Sequence, residues 1–207
     1  MLLEGKVGVQ ALQDGASNAL RLGKDGGLII RPDGYGDYSE LVDRGLVFFA
    51  STQAGVALTT TLSVTATGFI LTNPITSGKN LVLLDAVFAL TTAPAGIATI
   101  GWAAQFNEPT ATGVTHTTPL IVRNAKLRIG AAAGAGLADS AATLPNVPVA
   151  VRWVPGGPVA TGTLNSAFIR DEIKGLLELG PGSSINTFVL TTAISAGISV
   201  YWAEVDA

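Results

Sequence analysis

The chain contains no cysteine and a single histidine, His116. Without cysteine there is neither a disulfide framework nor a thiolate metal site. A serine-hydrolase triad needs a base held by a carboxylate beside a nucleophile, and no Gly-x-Ser-x-Gly elbow occurs. His116 stands in the polar stretch Gly113-Val114-Thr115-His116-Thr117-Thr118, which reads as a turn, so a surface or loop histidine is expected. Charge is scarce as well, 13% of residues against roughly 25% in an ordinary soluble domain. No apolar run approaches the roughly 20 residues that a membrane helix needs. Aromatic residues, at 6%, are too few for the girdles of a lipid-facing barrel, so no membrane partner is expected. The opening Met1-Leu2-Leu3-Glu4-Gly5-Lys6 lacks the basic start and apolar core of a signal peptide. A net charge of −3 argues against a general electrostatic grip on nucleic acid.

What charge there is gathers at one end. Residues 1–44 hold five Lys/Arg (Lys6, Arg21, Lys24, Arg31, Arg44) and seven Asp/Glu, whereas Gly45 to Gly78 carries none. The leader is rich in glycine, and ordering a glycine costs more backbone entropy than ordering other residues. Its apolar residues come in short bursts, Leu20-Arg21-Leu22 and Leu28-Ile29-Ile30, that are able to add a strand to a sheet but not to close a core. We read 1–44 as an extended N-terminal arm, ordered on a partner or a neighbouring subunit, or folded back on its own body.

Residues 45–207 read as a β body. Leu46 to Ala50, Val56 to Thr61, Gly68 to Thr72, Asn80 to Leu90, Ile97 to Phe106, Leu127 to Ile129 and Val149 to Val154 are strand candidates, with Ile100 and Trp102 on one face by period-two alternation. Gly130 to Gly136 reads as a loop. Glu172 to Leu179 alternates and stops at Gly180-Pro181-Gly182, Ser184 to Thr191 follows, and Ala196-Gly197 reads as a turn. Beyond it Ile198, Val200, Trp202 and Glu204 share a face. Short strands with turns about every 8–12 residues indicate an antiparallel sandwich or barrel. The alternate faces carry Thr, Ser, Ala and Gly rather than charge, a composition suited to burial against another subunit.

Motifs with chemistry fail on inspection. Thr76-Ser77-Gly78-Lys79-Asn80 echoes a phosphate loop, but Asn73 and Asn80 stand where glycine and a hydroxyl are required; Lys79 is expected to cap a strand start. Asp33, Asp37 and Glu40 are a poor calcium loop. Asp171 and Glu172 are adjacent and on a strand would face opposite ways. Arg123, Lys126 and Arg128 form the one local basic cluster, read as a solvated or intersubunit face paired with Asp/Glu in preference to a DNA contact. No catalytic, metal or cofactor site is expected.

Several stretches resemble tailed-bacteriophage virion structural proteins: Leu20-Arg21-Leu22-Gly23-Lys24-Asp25-Gly26-Gly27-Leu28, Tyr38, Arg44-Gly45-Leu46-Val47-Phe48, Leu71-Thr72-Asn73-Pro74 with Ser77-Gly78-Lys79-Asn80-Leu81, His116-Thr117-Thr118-Pro119, Asp139 to Leu144, and Tyr201-Trp202-Ala203-Glu204. The resemblance implies a jelly-roll-like β-sandwich acting as a capsid decoration (cement) protein. It implies a homotrimer whose partners are the major capsid protein and copies of itself, made in the host cytoplasm and carried on the capsid surface of the virion. No functional residue carries over. The arm contacts expected are Arg21, Lys24, Arg31, Tyr35, Tyr38 and Arg44, since Arg and Tyr are favoured interface anchors. The alternative is a receptor- or carbohydrate-binding module of a tail or fibre, with Trp153 as its exposed platform.

Overall fold

The computed structural model describes residues 38–92, 94–106, 113–156 and 168–207. The chain divides into residues 1–40 and 41–207, and the second unit holds the sheets. The elements of the described residues are α1 (Ser39–Asp43), β1 (Val47–Ser51), β2 (Val56–Ala57), β3 (Thr65–Thr72), β4 (Lys79–Leu90), β5 (Ala98–Phe106), β6 (Thr115–Pro119), β7 (Arg123–Asn124), β8 (Leu137–Thr143), β9 (Val149–Trp153), β10 (Phe168–Glu172), β11 (Glu178–Leu179), β12 (Ser183–Thr191) and β13 (Ser195–Asp206). Of the arm expected over 1–44, residues 1–37 lie outside the described residues, and Ser39–Asp43 form a single helical turn.

Two antiparallel sheets pack face to face. One runs β10-β4-β13-β1-β7, with β11 paired to β4 and β2 to β13; the other runs β6-β8-β3-β12-β5-β9. The central quartets are β1-β13-β4-β10 and β3-β12-β5-β9. The first body strand therefore pairs with the last, the next long strand with the penultimate one, and the chain is a long hairpin rolled into a jelly roll. The excursion between β5 and β9 supplies β6, β7 and β8, which extend one sheet beyond β3 and the other beyond β1.

Alternation explains the core. Ile100 and Trp102 of β5, Ile185 and Val189 of β12, and Ile198, Val200 and Trp202 of β13 are all buried between the sheets. On β4 the inward set shifts phase, from Leu81 and Leu83 to Ala86, Phe88 and Leu90, because the pairing slips at Tyr201/Trp202. Trp102 lies edge-on to Phe88 at 5.9 Å. Burying side chains of this size stabilises by about 1.5–3 kcal/mol each.

The structure differs from the sequence expectations at several places. Ala196 and Gly197 do not turn; they lie within β13, where small side chains fit against β4, and the reversal comes at Thr191, whose φ is +77°. The alternation over 172–179 is broken by a turn at Lys174 and Gly175, both at positive φ, so β10 ends at Glu172. Val56 to Thr61 is a strand only at Val56–Ala57. Leu127 to Ile129 is not a strand, and the segment around His116, read as a turn, is strand β6. The Thr/Ser face of the second sheet is not bare: Thr72, Gln105, Ser184 and Asn186 are already buried in the single chain.

Candidate functional site

Among the described residues three buried carboxylates organise the polar interior, and each is held by structural partners. Asp171, fully buried, accepts from Trp102 Nε1 at 2.9 Å and from Arg152 Nε and Nη2 at 3.1 and 2.7 Å. That hydrogen bond holds the Arg152 guanidinium above its usual pKa. Glu172, its neighbour, points outward as alternation requires. Asp139, also fully buried, shares a 2.6 Å hydrogen bond with His116 Nδ1, tying edge strand β6 to β8. Among the described residues its other oxygen has no partner, nor do Thr72 Oγ1, Ser184 Oγ and Asn186 Oδ1. Glu204 accepts from the backbone N–H groups of Ala135 and Gly136 at 2.8 and 2.9 Å and from Trp202 Nε1 at 3.1 Å. Among the described residues no three His, Cys, Asp or Glu are placed to share a metal ion.

The phosphate-loop echo is structural. Asn73 is buried and its Nδ2 donates to the carbonyls of Lys79 and Leu179, both at 2.7 Å, closing the loop ahead of β4. Lys79 opens that strand, as expected, and pairs with Asp206 of β13.

A cleft of about 670 Å³ lies beside β7. Val122, Arg123, Asn124, Leu127, Arg128 and the run from Ile129 to Ala133 line it. Its base is fixed to the body. Asn124 Nδ2 donates to the Gly45 carbonyl, the Ala125 N–H to the Val47 carbonyl at 2.8 Å, and Lys126 Nζ to the Asp43 carbonyl at the end of α1. Its far end is held by the Glu204 clamp. The approach is close there: a Cβ on Gly134 would meet Glu204, Phe48 and Val122 side chains at 3.0 Å, and one on Gly136 would meet Leu81 at 3.0 Å, so these side chains would have to give slightly. The Ala/Gly run thus lets the loop lie close on β13. Gly130, at φ +77°, turns the chain after Ile129. Leu127 and Ile129 stand 79% and 104% exposed.

Two further surfaces are open. On the outer face of the first sheet one row crosses five strands, Arg123, Phe49, Tyr201, Asp85 and Glu172. Phe49 and Tyr201 stack at 5.6 Å, and Ser51 and Ser199 hydroxyls bond at 2.7 Å beside them. At the far side of the second sheet, edge strand β9 exposes Val149, Val151 and Trp153, the last at 47%. Trp153 sits edge-on to Phe188 at 5.2 Å, a contact that Gly101 permits, since a Cβ there would lie 2.7 Å from the Phe188 ring.

Arg21, Lys24, Arg31 and Tyr35 lie outside the described residues. Tyr38 and Arg44 bracket α1, with Arg44 exposed. Of the basic cluster, Arg123 and Arg128 line the cleft, on a strand end and a loop rather than along one strand, while Lys126 bonds the Asp43 carbonyl. Sequence reasoning missed Leu127 and Ile129 as surface residues, because apolar residues alternating with basic ones mimic a half-buried strand. The glycine at 130 was the available signal that no strand continues.

No known protein-family model matches the chain, and neither a curated protein nor a solved structure does.

Proposed function

We propose that this chain is a structural subunit of a tailed-bacteriophage virion, decorating the capsid and joining copies of itself, with the major capsid protein as its other partner and a homotrimer as its assembled form. The observation that carries the assembly part is edge strand β9, which among the described residues has no strand partner other than β5 and presents Val149, Val151 and Trp153 to the surface. An apolar open edge invites pairing with another chain and is safe only when an assembly covers it. The jelly roll is a frequent architecture of capsid and lectin domains, which fits the reading without deciding it, because fold alone does not define function. The sequence resemblance supplies the virion.

Light scattering of the purified protein tests the oligomer: three times the 21.0 kDa chain mass is expected, and a monomer at micromolar concentration counts against it. A cryo-electron map of the particle whose genome encodes the chain tests the location. Density for the jelly roll on the head surface is expected; density at the tail tip, or none on the particle, overturns decoration. Removing residues 1–44 should abolish particle binding.

One observation favours a second reading, a glycan-binding module. Trp153 is half exposed on its strand, and the Phe49/Tyr201 stack lies beside a hydroxyl pair and Asp85 on an open sheet face. Aromatic faces flanked by hydrogen-bonding groups suit recognition of sugars. A glycan array with signal lost in Trp153→Ala or Tyr201→Ala promotes this reading; no signal removes it.

A further inference from the structure

The cations of the described residues sort by place. Lys79, Arg152, Arg170 and Lys174 each have a carboxylate oxygen within 2.8 Å. Arg44, Arg123, Lys126 and Arg128 have no carboxylate partner among the described residues, and all four belong to the region of α1, β7 and the following loop. Among the described residues the uncompensated positive charge therefore lies on one surface of a chain whose net charge is −3. Leu127 and Ile129, which carry the most exposed large apolar side chains there, rise from the same cleft wall between and beside the arginines.

We propose that this cleft docks an acidic polypeptide segment of a partner protein, one that interleaves Asp or Glu with large apolar side chains. Three properties point to that chemistry. The unpaired guanidiniums of Arg123 and Arg128 line the cleft itself, and guanidinium forks match carboxylates in bidentate geometry. Leu127 and Ile129 gain only if apolar side chains cover them, which a phosphate backbone does not provide; the described lining also contains no aromatic ring on which a base would stack. The edge of β7 away from β1 has no strand partner among the described residues, so an extended segment finds backbone donors and acceptors beside the cleft, as in strand addition.

The site is held in advance of any partner. Asn124, Ala125 and Lys126 are bonded to the segment 43–47, and Glu204 fixes residues 135 and 136. A wall that is already ordered loses little entropy on binding. The inference concerns the chemistry of the partner and stands whether or not the chain is a virion subunit.

The test is fluorescence anisotropy on the full chain with a fluorescein-labelled peptide of alternating Glu and Leu, beside the same peptide with Lys for Glu and a labelled oligo(dT). Saturable binding of the Glu/Leu peptide alone, weakening with added salt, is expected. Arg123→Glu with Arg128→Glu should weaken it by roughly tenfold or more. Leu127→Ser with Ile129→Ser should weaken it by about fivefold. Lys174→Glu, on a turn elsewhere and paired to Glu172, should leave it unchanged. All these positions are at the surface, so the variants keep the wild-type circular dichroism. Four results each overturn the proposal: no saturable binding of the Glu/Leu peptide; binding unaffected by the double arginine variant; equal loss in Lys174→Glu; or no effect of the Leu127/Ile129 pair. Tighter binding of oligo(dT), lost in the arginine variant, would overturn it in favour of nucleic acid.

Discussion

Asp171 is fully buried in a cage of three donors, two from Arg152 and one from Trp102. Arg152→Ala leaves that carboxylate with a single partner. Breaking one side of a buried pair costs about 3–5 kcal/mol, and urea unfolding should show a loss of that order; a loss under about 1 kcal/mol would mean that water replaces the guanidinium. Glu204→Ala strands the Ala135 and Gly136 N–H groups and the Trp202 indole. At about 1–3 kcal/mol for an unsatisfied buried donor, with partial relaxation, a net loss of about 2–4 kcal/mol is expected by the same measurement. The inward set that holds Glu204, with Ile198, Val200 and Trp202, was legible from alternation alone. Its partners were not, since Ala135 and Gly136 lie nearly seventy positions away, as do Trp102 from Asp171 and, less far, His116 from Asp139. Spacing along one chain carries no sign of which distant strand will supply a donor. The basic cluster was visible because Arg123, Lys126 and Arg128 are close in sequence; the cleft was not, because its shape comes from the clamp.

At the scale of elements, the long strands β4, β5, β12 and β13 were readable because both periodicity and β-branched or aromatic residues agreed. Strand β6 was not, since Thr, His and Pro with every position exposed give no alternation; its place is set by β8 and by the His116–Asp139 bond. Ala196-Gly197 misled because small residues serve close packing as well as turning. Edge strand β9 carries a direct test. Val149→Lys with Val151→Lys puts charge on the open edge. Light scattering should show loss of self-association, with the urea midpoint shifted by less than about 1 kcal/mol, because both residues are exposed. On edge strand β10, Lys174 and then Arg170 hold the Glu172 carboxyl below its ordinary pKa, and Lys79 does the same for Asp206. A lowered folded pKa contributes stability that is present above the unfolded carboxylate range and is lost as pH falls through the folded value. All these groups are solvent-facing, so the contribution is screened. Acid titration of stability at low ionic strength should show a small fall below the ordinary carboxylate range, and added salt should erase it.

For the whole molecule, the rolled hairpin makes its last strand central. Strand β13 lies between β1 and β4 and also pairs β2, so residues near position 200 join both ends of the body, as Val47 opposite Ala203 illustrates. Pairings that distant in sequence must close large loops before they are rewarded, so refolding is expected on the millisecond-to-second scale of all-β folds. The excursion between β5 and β9 stands in the opposite position: β6, β7 and β8 are added outside the two central quartets. Two deletions separate these roles. Removing residues 195–207 leaves the facing edges of β1 and β4 unpaired and uncovers the inner face of the opposite sheet, and should leave a chain that does not fold cooperatively, seen as loss of near-ultraviolet circular dichroism from Trp102. Replacing 127–133 with a short Gly-Ser linker removes the exposed Leu127 and Ile129 and the cleft wall while sparing the Glu204 clamp. The melting temperature should then stay within about 5 °C of wild type, and the acidic peptide should no longer bind. Equal collapse in both deletions would show that the excursion belongs to the core, and that the cleft is a by-product of folding rather than a surface shaped for a partner.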